Sequence, residues 1–237
     1  MGEGSLVILG APRVGSNWLM LALRVHPAVA MYGEILKTDF YMGDKGAPRV
    51  CADLGMTMSE AASMHRSDPI VIVDALSERA RTMGQRFGCK IFYTHEHGVN
   101  ILRLGYFRDA VILHLFREKI LDAFTSLKLA RATGKWMYES YGDVRLDFDV
   151  DEYRVFRSKL RSDFAHWRAW LATNHPPERL MEIAYSRIGT DHLLDDVVAL
   201  LGIDALTLPL LVKQARRPVE KYWRQGLVRH FAEDKLF

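Results

Sequence analysis

The chain has 237 residues, 49% of them hydrophobic and 26% charged, with a formal net charge of +3 and no low-complexity tract. That length allows one substantial core, and no apolar run approaches the roughly 20 residues that a membrane-spanning helix needs. Residues 1–20 lack the charged start and the cleavage site of a secretory signal. We therefore expect one soluble, cytoplasmic domain over residues 1–237, without a membrane span and with insertions near 37–68 and 133–150.

The distribution of charge and the cysteine content limit which ligands, metals and macromolecules the chain is expected to bind. Lys and Arg are spread along the chain without the basic stripe of a nucleic-acid-binding surface, so the mild positive charge suits a small anionic ligand. Cys51 and Cys89 are far apart and have no His or Cys at ligand spacing, which supports neither a disulfide framework nor a zinc site. A metal site is not predicted at residues 95–97 either, because His95 and His97 would lie on opposite faces of an extended chain and no third ligand is evident.

The chain is organised around its first predicted strand, turn and helix, SLVILGAPRVGSNWLMLALR at residues 5–24. Residues 5–9 are a short apolar run, residues 10–15 form a turn with Gly at both ends, and Ser16–Arg24 has helical periodicity. Such a turn directs several backbone N–H groups and the positive end of a helix dipole at one point. The sequence therefore predicts a phosphate or sulfate site, to which Arg13 inside the turn adds a planar cation.

The turn differs from the nucleotide-triphosphatase loop GxxxxGK[ST], although Gly10 and Gly15 have its spacing. Position 16 is Ser where a triphosphatase has the Lys that reaches the outer phosphates, and position 17 is Asn where it has the magnesium-binding hydroxyl. Ser16 and Asn17 instead offer side-chain donors at the first helical turn. A P-loop kinase remains an alternative interpretation.

The turn resembles the loop of sulfotransferases that use 3′-phosphoadenosine 5′-phosphosulfate (PAPS) and release the bisphosphate PAP. Its usual form is Pro, Lys or Arg, any residue, Gly, one or two small hydroxyl residues and Trp. The matching residues here are Pro12, Arg13, Val14, Gly15, Ser16, Asn17 and Trp18. The resemblance implies that they bind the nucleotide, and that Arg13 has a catalytic role in stabilising charge on the departing 5′-phosphate oxygen. Arg13 stands where many relatives have Lys, and an Arg cannot act as an acid at neutral pH.

A carboxylate follows the second predicted strand, residues 28–32, in the dipeptide Gly33-Glu34. In an open parallel sheet, ligands bind at the carboxyl ends of the strands, where this side chain would lie. The segment is similar to bacterial carbohydrate sulfotransferases, including the nodulation-factor and trehalose enzymes, in which Gly-Glu precedes an apolar pair. The resemblance implies that Glu34 is the base that deprotonates the acceptor. A solvated loop Glu is the alternative.

Residues 88–93 form a compact predicted strand that is followed by a polar cluster at 94–98. Cytosolic sulfotransferases place a catalytic His at a comparable strand end, which makes His95 a second candidate for the base. Lys90, five residues before His95, does not match the cytosolic spacing and instead resembles a Lys of the nodulation enzyme. A solvated strand end is the alternative for these residues.

A buried strand at Val111–Phe116 ends in Arg117 and leads into a helix that contains two adjacent hydroxyl residues. This resembles the second sulfotransferase motif, in which an Arg and a Ser bind the 3′-phosphate of the nucleotide. The usual spacing from Arg117 indicates Thr125, whereas matching residues 129–136 to the bacterial carbohydrate enzymes indicates Ser126. We prefer Ser126 and keep Thr125. A surface ion pair is the alternative for Arg117.

The remaining candidates lie in the last third of the chain. Tyr185, at the end of a predicted strand over 179–185, either lines the nucleotide pocket or is only a core aromatic residue. Arg216 and Arg217 precede Pro218 and resemble the basic loop that closes over the nucleotide in the family, with Arg217 preferred. A solvated basic tail is the alternative interpretation.

Alternating strands and helices predict an α/β class, a three-layer P-loop-like fold with a mainly parallel central sheet flanked by helices. Residues 37–68 have weak periodicity and suggest a lid or an acceptor-facing insertion, and the aromatic residues in 133–150 either stack on sugars or cap the core. The other predicted helices span residues 69–84, a long segment from Asp149 or Asp151, and Asp191–Leu201 before Gly202.

The resemblance implies transfer of a sulfuryl group from PAPS to a hydroxyl or amine of a carbohydrate or small natural product, by in-line displacement and without a metal. Two alternatives remain from the residues alone: the P-loop kinase and a non-catalytic module that only binds the nucleotide.

Overall fold

The computed structural model describes residues 4–37, 46–136, 141–204, 219–224, 231 and 233–237. Its five strands form one sheet in the order β2-β3-β1-β4-β5, and every neighbouring pair is parallel. The strands are β1 Leu6–Gly10, β2 Val29–Met31, β3 Arg86–Phe92, β4 Val111–Phe116 and β5 Leu180–Ala184. Every residue of β1, β2 and β4 is buried, as expected for strands covered on both faces.

Helices connect consecutive strands and cover both faces of the sheet. They are α1 Ser16–Arg24, α2 Gly46–Leu54, α3 Met58–Ser67, α4 Pro69–Thr82, α5 Glu96–Arg103, α6 Ile120–Thr133, α7 Val150–Asn174 and α8 Asp191–Leu201. Leu6 and Ile8 of β1 pack in one core cluster with residues of α1, α6 and α8. Val7 and Leu9 face the opposite cluster, which contains residues of α3 and α4. The predicted three-layer α/β, P-loop-like fold is confirmed.

Strand β1 lies at the centre, paired with β3 on one side and β4 on the other. The chain leaves β1 and forms β2 and then β3, which both lie on one side of β1. From β3 it crosses over to form β4 on the other side of β1. In sheets of this kind the ligand lies outside the carboxyl end of the strand where the direction reverses. The loop after Gly10 occupies that position, so the fold brings the predicted anion site to the middle of one sheet edge.

The first insertion is more regular than the sequence suggested. Within 46–68 the structure has α2 and α3, and α3 begins with a capping box in which Thr57 and Glu60 exchange hydrogen bonds. Residues 38–45 lie outside the described residues. No helix in the described ranges is long and apolar enough to span a bilayer.

The segment after β3 is also different from the prediction. His95 is the N-cap of α5, so the polar cluster opens a helix and is not an extended chain. The argument that His95 and His97 lie on opposite faces of an extended chain was therefore wrong in its premise. Among the described residues, no group of three His, Cys, Asp or Glu side chains is placed to hold a metal ion.

Both cysteines are free thiols, and their surroundings differ. Cys89 is fully buried in β3, and burial raises the pKa of its thiol. Cys51 lies half-buried on α2.

Candidate active site

The loop between β1 and α1, residues 11–15, contains two residues in the left-handed backbone conformation. Arg13 has a φ of 72° and Gly15 a φ of 90°. A Cβ atom on Gly15 would lie 2.9 Å from Ile188 and 3.2 Å from the ring of Tyr185, so Gly is required for space as well as conformation. The N–H groups of the first turn of α1 and the positive end of its dipole meet at this loop, an arrangement that binds anions.

The other loop residues differ in exposure. Val14 and Ser16 are buried, whereas Pro12, Asn17 and Trp18 are half-buried. Trp18 packs against the core cluster on the α1 side of the sheet. The sequence motif thus supplies both the anion site and the packing that holds its helix in place.

The guanidinium of Arg13 turns toward α6 and the segment that follows it. Its Nε donates to Oγ of Ser126 (2.9 Å), Nη1 to the carbonyl of Trp136 (2.6 Å) and Nη2 to the hydroxyl of Tyr141 (2.6 Å). All three acceptors are neutral. The sequence left Trp136 and Tyr141 between stacking on sugars and capping the core. Their link to Arg13 was not predicted, because it spans more than 120 residues and depends on the fold.

Arg117 is a buried cation directly behind this loop, with 2% of its side chain exposed. Its Nη1 donates to the carbonyl of Arg13 (3.4 Å), its Nη2 to Oδ2 of Asp122 (3.2 Å), and its guanidinium lies 4.2 Å from the ring centroid of Tyr185. Burial lowers the pKa of Arg117, and the charge of Asp122 opposes this. The ion pair that was considered as the alternative for Arg117 is thus present, with Asp122 as its partner. Arg117 is nevertheless buried and does not lie at the surface.

The Nε of Arg117 is buried and has no hydrogen-bond partner among the described residues. A buried donor in this state costs about 1–3 kcal/mol, more when it is charged, unless a ligand satisfies it. Phosphate oxygens are suitable acceptors for a guanidinium. This orphaned donor shows that the residues present fit a phosphorylated ligand.

Thr125 and Ser126 have different hydrogen-bond partners. The hydroxyl of Thr125 donates to the carbonyl of Leu121 (2.8 Å) and accepts from Nε1 of Trp223 (3.0 Å). The hydroxyl of Ser126 faces Arg13. Thr125 is therefore engaged within the fold, and Ser126 is the hydroxyl on the side of the loop.

The turn that follows Arg117 is held by the last described segment of the chain. Lys119 forms an antiparallel bridge with Lys235. The N–H of Leu236 donates to the carbonyl of Glu118 (2.9 Å), and the N–H of Ile120 donates to that of Asp234 (3.1 Å). These bonds fix the backbone between Arg117 and α6.

Glu34 lies on the other side of the loop, just beyond β2. Gly33, with a φ of 80°, turns the chain there, and its carbonyl accepts a hydrogen bond from the N–H of Lys90 (2.7 Å). Oε1 of Glu34 lies 2.8 Å from Nζ of Lys90, and Oε2 lies 3.6 Å from Nε2 of His95. The Glu34 side chain is 24% exposed. It is therefore oriented by two partners and still accessible, unlike a solvated loop Glu.

The charge of Glu34 is set by competing effects. Burial acts to raise its pKa, but the His95 imidazole and the Lys90 ammonium outweigh burial and lower the pKa from 4.5 to about 2. Glu34 is consequently ionised at neutral pH.

His95 is almost fully buried, with both ring nitrogens directed at protein groups. The N–H of Phe92 donates to Nδ1 (3.2 Å), so Nδ1 is the acceptor and Nε2 carries the hydrogen of a neutral ring. Nε2 faces Glu34. This tautomer follows from the hydrogen bonds around the ring. His95 is placed to orient Glu34 and not to meet an acceptor itself.

Lys90 connects Glu34 with the donor loop. Its Nζ donates to Oδ1 of Asn17 (2.5 Å) as well as contacting Glu34, and it lies 4.9 Å from the ring centroid of Phe92. Sequence reasoning singled out Lys90 only through a resemblance and did not predict this link.

Two of the sequence candidates, Arg216 and Arg217, lie outside the described residues. The structure brings the others together at the carboxyl edge of the sheet, with an anion-binding loop and two Arg on one side and an ionised carboxylate on the other. This arrangement can hold an anionic group and deprotonate a nucleophile beside it.

A family model described as "Sulfotransferase family" matches residues 5–204. The sulfotransferase domain from the curacin biosynthetic pathway has a TM-score of 0.60 at 16% identity, covering 99% of this chain and 83% of that one. The sulfotransferase domain from the Synechococcus PCC 7002 olefin synthase has a TM-score of 0.56 at 19% identity, with 85% and 74% covered. A sulfotransferase from Alicyclobacillus acidocaldarius has a TM-score of 0.55 at 16% identity, with 98% and 92% covered. No curated protein matches the sequence.

The structural likenesses, all below 20% identity, agree with the fold. The family match extends from the residue before β1 to beyond α8 and includes the loop, Arg117 and Ser126. The resemblance first indicated by residues 12–18 is thereby confirmed at the level of the family. This chain belongs to the sulfotransferase family of enzymes.

Proposed function

We propose that the chain transfers a sulfuryl group from PAPS to a hydroxyl or amine of a carbohydrate or small natural product. The observation that carries this proposal is the buried Arg117, whose Nε has no partner among the described residues, directly behind an anion-binding loop. A triphosphate-binding loop needs a cation at the outer phosphates, and position 16 is Ser here.

The nucleotide would be held at two places. Backbone N–H groups of residues 13–17 suit the 5′-phosphosulfate. Arg117 with Ser126 suits the 3′-phosphate, beside the ring of Tyr185. When bound, PAPS supplies an activated sulfuryl group and leaves as PAP. Because the Arg13 guanidinium lies against Ser126, we assign Arg13 to the 3′-phosphate side and the charge on the departing oxygen mainly to the loop N–H groups.

Glu34 is the base in this proposal, and His95 is its positioning residue. The Glu34 carboxylate accepts the proton of the acceptor hydroxyl while that oxygen bonds to sulfur and the bond from sulfur to the 5′-phosphate oxygen breaks. Both ring nitrogens of His95 already face Phe92 and Glu34, so the imidazole has no lone pair directed at an acceptor. General-base catalysis typically contributes about 10²–10⁴ in rate and is strongest when the pKa of the base lies near the working pH. The low pKa of Glu34 places its contribution at the lower end of that range.

The acceptor class rests on the residues around Glu34. Gly33-Glu34 followed by the apolar pair Ile35 and Leu36, both fully buried, is the segment that resembles the bacterial carbohydrate enzymes of the nodulation-factor and trehalose type. We therefore place carbohydrates first and small natural products second.

The first test is binding and turnover with the purified chain. We expect calorimetry to show PAP binding without magnesium, and radiolabelled PAPS to label at least one member of a panel of sugars and small natural products. Binding of ATP with magnesium but not of PAP would indicate the kinase alternative. Tight PAP binding with no product from the whole panel would instead support the non-catalytic module.

A further inference from the structure

Lys90 is the charged residue in the buried part of β3, whose other charged residue, Arg86, is half-buried at its start. It lies inside β3 with 2% of its surface exposed, between neighbours that are buried as well. Removing an ammonium group from water is costly, so a buried Lys is retained where its charge has specific partners. Among the residues that the structure describes, its side-chain hydrogen-bond and ion-pair partners are Glu34 on the acceptor side and Asn17 on the donor side.

We propose that Lys90 is a positioning residue of the transfer reaction: its buried ammonium holds the Glu34 carboxylate in its ionised, oriented form and fixes the Asn17 amide at the donor loop. This inference rests on the proposed function, in which Glu34 is the base and Asn17 belongs to the loop that binds the donor. Lys90 acts through these two residues and takes no part in the proton transfer of the proposed reaction.

At the Glu34 end, Lys90 supplies the only lysine or arginine contact within 4 Å among the described residues. His95 faces the second carboxylate oxygen from the start of α5. Burial lowers the pKa of the Lys90 ammonium, and the nearby cations Arg13 of the loop and Arg24 of α1 act in the same direction. Glu34 opposes this effect and favours the ammonium, and the ammonium in turn lowers the pKa of Glu34.

At the Asn17 end, the bond from Lys90 decides which way the amide points. An ammonium only donates, so Oδ1 of Asn17 must face Lys90 and the Nδ2 donor must lie on the other side of the group. Asn17 is in the first turn of α1, where an anion meets the helix. One buried charge therefore links the orientation of a donor-loop amide with the ionisation of the base.

The test compares Lys90→Met, which removes the charge and keeps the length of the side chain, with the wild-type chain. Carbon-13 NMR of the Glu side-chain carboxyls follows the titration of Glu34, whose resonance is assigned by its loss in Glu34→Gln. We expect no titration of Glu34 above about pH 4 in the wild type and a midpoint at least about 1 pH unit higher in Lys90→Met, because burial is then opposed by His95 alone.

Activity and binding provide a second readout. In Lys90→Met, Glu34 stays ionised at neutral pH but loses the 2.8 Å contact that orients its carboxylate, so kcat should fall about 10-fold. The acceptor KM should change less, since the ground-state contacts of the acceptor are not removed. The PAP dissociation constant should rise about 3- to 10-fold because the Asn17 amide loses its orientation. Lys128→Met is the control: its Nζ forms an ion pair of 2.7 Å with Glu152 between α6 and α7, and its loss should leave the Glu34 titration unchanged.

Lys90→Gln is measured in parallel, since it keeps an N–H donor for Asn17 and removes only the charge. We expect its Glu34 midpoint to rise while its PAP affinity stays within about 3-fold of wild type. Titration of wild-type Glu34 between about pH 5 and 7 overturns the proposal without any variant. An unchanged Glu34 midpoint in a folded Lys90 variant overturns it as well. The NMR and PAP measurements need no acceptor, so they remain decisive if no sulfated product is found.

Discussion

Ser126 and Thr125 are neighbours on α6 whose hydroxyl groups face opposite surroundings. Consecutive residues of a helix point about 100° apart, so the sequence motif could reach either one, and only the rotation of α6 about its axis decides between them. That rotation is set by packing: Phe124 stacks on Trp223, and the Trp223 indole N–H then binds the Thr125 hydroxyl. Motif spacing could not predict the hydrogen bond between Trp223 and Thr125, because it joins residues about 100 positions apart.

Replacing these hydroxyls separates their roles. We expect Ser126→Ala to raise the PAP dissociation constant about 10-fold, as for loss of a hydrogen bond to a charged group, with little change in stability. Thr125→Val should leave PAP binding within about 2-fold and lower the free energy of unfolding by about 1–2 kcal/mol, because the Trp223 N–H loses its acceptor. Calorimetry with PAP and urea denaturation measure the two effects, and the reverse pattern would assign the phosphate to Thr125.

The ionisation of Glu34 makes stability depend on pH in a defined window. Its pKa is about 2 in the folded chain against an ordinary value of 4.5, so between these values the unfolded chain binds more protons. The stabilisation is present above about pH 4.5 and is lost as the pH falls toward 2; its upper limit is about 3 kcal/mol.

Urea denaturation of wild type and Glu34→Gln from about pH 2.5 to 7 tests this linkage. The difference in unfolding free energy between the two proteins should be constant above about pH 5 and shrink as the pH falls further. A difference that stays constant across the whole range would show that Glu34 is not ionised below its ordinary pKa.

Several helices and strands were predictable because their signals are local. Asp149 caps α7 by accepting N–H bonds from Asp151 and Glu152, and α8 ends at Gly202 in the left-handed conformation, as the sequence indicated. The helix α3 was missed although Thr57 and Glu60 form its capping box, because few of its residues are buried and its periodicity is weak. The helix α5 was missed because its polar start looks like a loop.

The close approach of β1 to β4 can be tested through a matched pair of glycines. A Cβ atom on Gly10 would lie 2.6 Å from the carbonyl oxygen of Leu115, whereas one on Gly88 would lie 2.6 Å from the sulfur of Met31. A strand backbone cannot move aside, but a Met side chain can adopt another rotamer.

We expect Gly10→Ala to lower the free energy of unfolding by about 2–3 kcal/mol and to weaken PAP binding, because β1 carries the loop. Gly88→Ala, the control, should cost about 1 kcal/mol or less and leave PAP binding intact. Thermal denaturation and calorimetry provide the comparison. Equal losses of unfolding free energy in the two variants would show that the close contact between β1 and β4 is not the cause of the Gly10→Ala effect.

The order of the strands was beyond the reach of sequence reasoning. Alternating strands and helices predict a parallel sheet, but the placement of β1 between β3 and β4 depends on long-range pairings such as Leu9 with Ile91 and with His114. That placement is what brings Glu34, Arg13 and Arg117 to one edge. The sequence therefore indicated the chemical groups, and the sheet supplies their arrangement.

The contrast between the two cysteines makes the chain convenient for fluorescence work without any substitution. The Cys89 thiol is shielded in the sheet and its raised pKa disfavours the reactive thiolate, whereas Cys51 lies half-buried on α2, a helix packed against α3 and α4. A maleimide dye should therefore attach at a single position in the native state. Arg49 of the same helix donates to the carbonyl of Met31 at the end of β2, three residues before Glu34. The emission of a dye on Cys51 would therefore report on molecules that bind near that end of the sheet.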